Sequence, residues 1–163
     1  MFSRKILIVI IIVCCSMNLF AQDDPKIAFA YGIEMNGYSM DGQAYGMVMG
    51  FDFDLPWRFA GGINLTASTD YSNSVLEPSV FFRFYVFNEN RGLFAQADLG
   101  FALMSDFNNV LISNDNKNIT TIFLIGLRAG YRFPFGRMCY AEPYVRAGYP
   151  FFTGAGFILG YRR

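Results

Sequence analysis

The chain predicts an all-β fold, a transmembrane eight-stranded antiparallel up-and-down β-barrel, on three observations. Segments of roughly ten residues alternate in polarity and are separated by turn residues. One face of every segment is free of charge. The opposite face carries most of the strand charges together with many glycines.

The predicted strands are residues 26–36, 44–54, 58–68, 78–88, 93–104, 120–132, 138–148 and 154–162. In the first, Ile27, Phe29, Tyr31, Ile33 and Met35 share a face. Tyr45, Met47, Met49, Phe51 and Phe53 do so in the second, and Phe59, Gly61, Ile63 and Leu65 in the third. The fourth presents Val80, Phe82, Phe84 and Val86, and the fifth Leu93 through Leu103 at alternate positions. Phe123, Ile125, Leu127, Ala129 and Tyr131 continue the pattern, as do Ala141, Pro143, Val145 and Ala147, then Ala155, Phe157, Leu159 and Tyr161. Between them stand "NGYSMDGQ", "LPW", "STDYSNSVLE", "ENRG", "SDFNNVLISNDNKN", "FPFGR" and "GYPFF", rich in turn formers.

Alternation alone does not say which face is inside. A soluble barrel of lipocalin type turns the apolar face inward, and a membrane barrel inverts it. Composition favours inversion. Across 163 residues, 53% are hydrophobic, 18% aromatic and 16% charged, where ordinary globular chains carry roughly 25% charge. Beyond residue 21 the only lysines are Lys26 and Lys117, too few for a solvated surface. Glycines on the polar face make room in an eight-stranded lumen, which is just wide enough for side chains to fill. The apolar face, with Phe, Tyr and Met at many positions, is too bulky for that lumen.

The first 21 residues have a basic start (Arg4, Lys5), an apolar run from Ile6 to Cys15 and a small residue, Ala21, before Gln22. This is the layout of a secretory signal peptide, so residues 1–21 are expected to be cleaved, leaving 22–163 as one barrel domain. About ten apolar residues are too few to span a bilayer as a helix. Cys14 and Cys15 leave lipoprotein processing as an alternative. The mature chain then keeps Cys139 alone, which makes no intramolecular disulfide and is read as a small space-filling residue on a strand.

Lysine plus arginine balance aspartate plus glutamate at 13 each, with no basic excess for nucleic acid. There is no histidine, which removes the usual general base and most zinc sites. No enzyme, cofactor or metal is therefore expected.

The charges predicted to line the lumen include Glu34, Asp52, Asp54, Arg58, Arg83, Asp98, Arg128, Glu142 and Arg146. Folding the hairpin at "ENRG" with Asn88 facing Leu93 sets Arg83 against Asp98. Folding "FPFGR" with Arg132 facing Met138 sets Arg128 against Glu142. Across "LPW", Arg58 comes beside Asp54 or Asp52. An unpaired charge in a narrow, dehydrated lumen is costly, so an ion-pair plug is expected. Independently solvated charges lining a water-filled pore are the alternative. With the N-terminus in the periplasm, the short turns fall on that side and the longer polar loops outside. The longest of these, containing Asp106, Asn108, Asn109, Asn114, Asp115 and Asn116, is the candidate contact surface.

In strand number, alternation and loop order, the mature chain resembles the small outer-membrane β-barrels exemplified by the membrane domain of outer-membrane protein A and by OmpX. The resemblance implies residence in outer-membrane lipid and insertion by the barrel-assembly machinery, which reads a final aromatic residue. Here "GAGFILGYRR" matches such a last strand, but Arg162 and Arg163 follow Tyr161. The function expected is a structural or surface-interaction anchor whose external loops meet a host or envelope ligand that the residues do not specify. The alternative is a narrow channel, or a lateral transporter for small apolar molecules as proposed for OmpW-like barrels.

Overall fold

In the computed structural model, described over residues 27–39, 42–70, 73–87, 90–106, 119–135 and 137–163, eight strands close into a single barrel. They are β1 (Ile27–Ser39), β2 (Gly42–Asp54), β3 (Phe59–Thr69), β4 (Asn73–Tyr85), β5 (Gly92–Asp106), β6 (Ile119–Phe135), β7 (Cys139–Tyr149) and β8 (Thr153–Arg162). Each pairs antiparallel with the next, and β1 pairs with β8 to close the ring. The expected signal segment, residues 1–21, lies outside the described residues, as do Asn108, Asn109, Asn114, Asp115 and Asn116. Asp106 is the last residue of β5.

Parity along each strand decides the two faces. Ile33, Leu127 and Val145 are 65%, 66% and 60% exposed, and Met47, Phe51, Val80, Leu99 and Phe123 share that outward face. The neighbours between them point inward and are buried, including Glu34, Asp52, Arg83, Asp98, Arg128, Glu142 and Arg146. A continuous apolar exterior of this extent has no counterpart on soluble monomers, so its solvent is the hydrocarbon of a bilayer. Closure suits that solvent, because a ring of strands leaves no edge with unpaired backbone groups. Among the described residues no helix is long and apolar enough to cross a membrane; the strands do the crossing.

The strand limits differ from the sequence reading in two informative places. β4 begins at Asn73 rather than at Pro78. Pro78 has no N–H to give, yet the β3–β4 ladder runs through it opposite Leu65, while the β4–β5 ladder is interrupted at Glu77 and Pro78. The strand therefore continues where a proline was taken as its boundary. β6 likewise runs on through Pro134 to Phe135, with Phe133 and Phe135 both outward and half exposed.

Large inward side chains are accommodated by glycines on the facing strand. Tyr140 and Tyr144 of β7 lie opposite Gly160 and Gly156 of β8, and a Cβ at either glycine would fall inside the tyrosine ring. Gly160→Ala is thus expected to cost about 1–3 kcal/mol by overpacking. The urea midpoint of the barrel folded in lipid vesicles measures it; an unchanged midpoint would mean that Tyr140 moves freely.

Candidate functional site

The inward charges form one continuous network along the lumen. At the end carrying the short turns, Arg132 Nη2 meets Asp52 Oδ2 at 2.5 Å and its Nε donates to Glu142. Arg83 Nη1 donates to Glu142 Oε1 at 2.8 Å, and its Nε donates to Gln96 Oε1 at 2.8 Å. Gln96 Nε2 in turn donates to Asp98 Oδ1 at 2.8 Å. Arg128 Nε lies 3.0 Å from Asp98 Oδ2, an ion pair without the alignment of a hydrogen bond. Nη1 of the same arginine is 3.5 Å from Glu34 Oε2. Toward the loop end, Arg146 Nη1 donates to Glu34 Oε1 at 2.5 Å and to Glu77 Oε2 at 3.0 Å.

Aromatic rings fill the space between. The Arg132 guanidinium stands 3.9 Å from the Tyr140 ring centre, and that of Arg83 stands 4.2 Å from the Phe94 ring centre. Tyr85, Phe94, Tyr140 and Tyr144 are all buried. These rings replace part of the water that an arginine would otherwise hold, through cation–π attraction.

The expected partners are not the observed ones. Arg83 faces Gln96, while Asp98 faces Phe81, so the proposed Arg83–Asp98 pair does not form. The β4–β5 connection takes up two more residues than "ENRG" alone, with Asn90 and Gly92 at positive φ. Arg128 faces Arg146, not Glu142, because the β6–β7 ladder continues to Phe135 opposite Cys139 and tightens the turn. Glu142 is instead level with Arg132. Arg58 pairs with neither Asp52 nor Asp54: it sits outside β3, exposed, and donates to the Val86 carbonyl at 2.8 Å. Asp54, half-buried at the rim, meets Arg162. Each displaced register is offset by an even number of residues, so every side chain keeps its face while its partner changes. Most of the ion pairs then bridge the lumen between distant strands, as Arg83 of β4 to Glu142 of β7, rather than adjacent ones.

Three members were not in the sequence reading as partners: Gln96, Arg132 as the ligand of Glu142, and Glu77. Glu77 was legible only by carrying the inward alternation of Val75, Ser79, Phe81 and Arg83 back across Pro78. Among the described residues no group of acidic, cysteine or histidine side chains is arranged to hold a metal.

No protein-family model and no curated protein matches the chain. Solved structures do. The chain is similar to the N-terminal β-barrel domain of Pseudomonas aeruginosa OprF, with 15% identity over 86% of this chain and 98% of that one, at a TM-score of 0.59. Neisserial surface protein A aligns with 9% identity over 86% and 96%, at a TM-score of 0.61. Ail, the attachment invasion locus protein of Yersinia pestis, solved in complex with the heparin analogue sucrose octasulfate, aligns with 12% identity over 86% and 100%, at 0.54. At such identities the likeness is one of fold: the eight-stranded barrel of small outer-membrane proteins.

Proposed function

We propose that the chain is an outer-membrane anchor, a barrel with a closed, ion-paired lumen that holds external loops as a contact surface for a host or envelope ligand. The observation that carries this reading is the unbroken network from Asp52 to Glu77, packed between Tyr85, Phe94, Tyr140 and Tyr144. Side chains braced across an eight-stranded lumen compete for the space an aqueous column would need. Export through the segment 1–21 and insertion by the barrel-assembly machinery complete the proposal. The last strand is consistent with it: Tyr161 is outward and half exposed, Arg162 is engaged by Asp54, and the Arg163 amide donates to the Ile27 carbonyl at 3.0 Å. The terminal arginines thereby belong to the closing seam and leave the aromatic residue on the lipid side.

Planar-bilayer recordings on the purified folded protein test the closed lumen, with no stable single-channel conductance expected. Deleting residues 108–116 is expected to spare folding and heat-modified gel mobility while abolishing any measured adhesion. Loss of folding in that variant would place those residues in the scaffold.

One observation favours a second reading, a lateral route for small apolar molecules. The interrupted β4–β5 ladder at Pro78 lies beside an apolar hollow lined by Met49, Phe51, Ile63, Leu65, Val80 and Phe101. Stable conductance, or uptake of an apolar solute by vesicles carrying the barrel, would favour transport over the anchor.

A further inference from the structure

We propose that the outer half of the lumen binds one proton, held on Glu77 as a neutral carboxylic acid at neutral pH. The inference rests on the closed-lumen reading and goes beyond it, assigning a proton site inside the plug.

Charge balance raises the question. At the turn end, Asp52 and Glu142 are matched by Arg83 and Arg132. Toward the loops, among the described residues, three carboxylates, Glu34, Asp98 and Glu77, share two arginines, Arg128 and Arg146. All five of these side chains are buried. An ionised carboxylate without a compensating cation is among the costliest groups to bury, and neutralisation by a proton is the usual relief.

Donor count then selects the residue. Glu34 accepts from Arg146, from Asn36 Nδ2 at 2.7 Å and from the Tyr144 hydroxyl at 2.5 Å, with Arg128 beside it. Asp98 accepts from Gln96 and from Asn64 Nδ2 at 3.3 Å, and faces Arg128. Glu77 has Arg146 alone, on Oε2, a nitrogen it shares with Glu34. Among the described residues its Oε1 has no partner, although the residue is 1% exposed. A protonated Oε1 needs an acceptor, and the buried oxygens without a hydrogen-bond partner among the described residues include Ser68 Oγ and Asn36 Oδ1. Ser68 sits one inward position beyond Thr66, the β3 residue opposite Glu77, and so lies on the diagonal that long side chains reach. Asn36 is already tied to the same cluster through Glu34.

The groups around Glu77 are Glu34 and Asn36 of β1, Thr66 and Ser68 of β3, Asp98 of β5, Arg128 of β6, and Tyr144 and Arg146 of β7. Among the described residues, β2 and β8 place their charges, Asp52, Asp54 and Arg162, at the opposite end. At neutral pH the folded barrel thus keeps a proton that the unfolded chain has already released in the ordinary carboxylate range. This stabilisation is fully present in acid, below that range, and is lost as pH rises to the point where the folded barrel also releases the proton.

The test uses the full mature chain folded in phosphatidylcholine vesicles, comparing wild type with Glu77→Gln, whose amide imitates the neutral acid in size and charge. Infrared difference spectra at pH 7 are expected to contain the carbonyl band of a buried carboxylic acid in wild type and to lack it in the variant. Urea midpoints should coincide in acid and separate as pH rises above the ordinary carboxylate range of about 4.3. From there until the folded barrel itself releases the proton, the wild-type folding equilibrium falls about tenfold per pH unit relative to the variant, the slope of one proton. Spectra showing only ionised carboxylate would overturn the proposal. So would a variant markedly less stable at pH 7, the mark of a lost ion pair. Wild-type midpoints that rise in sodium or potassium chloride but not in choline chloride, without the acid band, would assign the charge to a bound alkali ion and equally overturn it. Because conductance tests the closed lumen separately, a conducting barrel with the acid band and a silent one without it are distinguishable failures.

Discussion

Glu142→Ala is expected to destabilise the folded barrel by about 3–5 kcal/mol, the cost of leaving buried charge uncompensated. Glu142 is 1% exposed and takes both Arg83 and Arg132. Without it, two guanidiniums stacked against Phe94 and Tyr140 are left, among the described residues, with Asp52 as their one carboxylate partner. Neither arginine reaches bulk water from there, since both are 5% exposed or less. Urea titrations in vesicles, scored by heat-modified gel mobility, measure the loss. A double-mutant cycle on Arg83 and Glu142 should return a coupling of order 1 kcal/mol or more. Arg58→Ala, on the exposed arginine that donates to the Val86 carbonyl, should stay within about 0.5 kcal/mol. Equal costs at Glu142 and Arg58 would show that the lumen is wet enough to solvate its own charges.

Leu99→Arg is expected to cost about 2–4 kcal/mol, because it sets a charge on the lipid face near the bilayer midplane. Leu99 lies midway along β5, 48% exposed, between Val80 of β4 and Ile125 of β6. Phe87→Arg offers the contrast. Phe87 is equally outward at 65% exposure but stands beyond the end of β4, where the same charge costs only about 0–1 kcal/mol at the interface. The difference between the two variants, measured in the same vesicles, reports depth. Were the exterior face solvated by water, both substitutions would be nearly neutral.

The faces of this barrel were legible in the sequence. Period-two alternation is a local property, and Arg83, Asp98, Arg128, Glu142 and Arg146 fall on the inward parity whatever their strands pair with. The scarcity of lysine and the glycines beside those charges gave the direction of inversion for the same reason: they concern what one face must contact. Eight strands followed from the rhythm of turns, with the largest errors at both ends of β4, where Pro78 was taken as the start, at the end of β1 and at the end of β6, which was stopped at Arg132 before Pro134.

Which charges meet was decided by the closed ladder alone. A slip of two residues leaves every face unchanged, so the hydrophobic pattern is silent about it. The deciding facts were the positive-φ turn residues Asn90 and Gly92 and the run of β6 through Pro134, together with closure of β8 on β1. Closure also sets β2 opposite β6, and β7 across the lumen from β4, three strands away, and so hands Arg132 to Asp52 and Arg83 to Glu142. Hairpin arithmetic compares only adjacent strands, whereas a charge in a narrow, dry interior pairs with the nearest opposite charge in three dimensions.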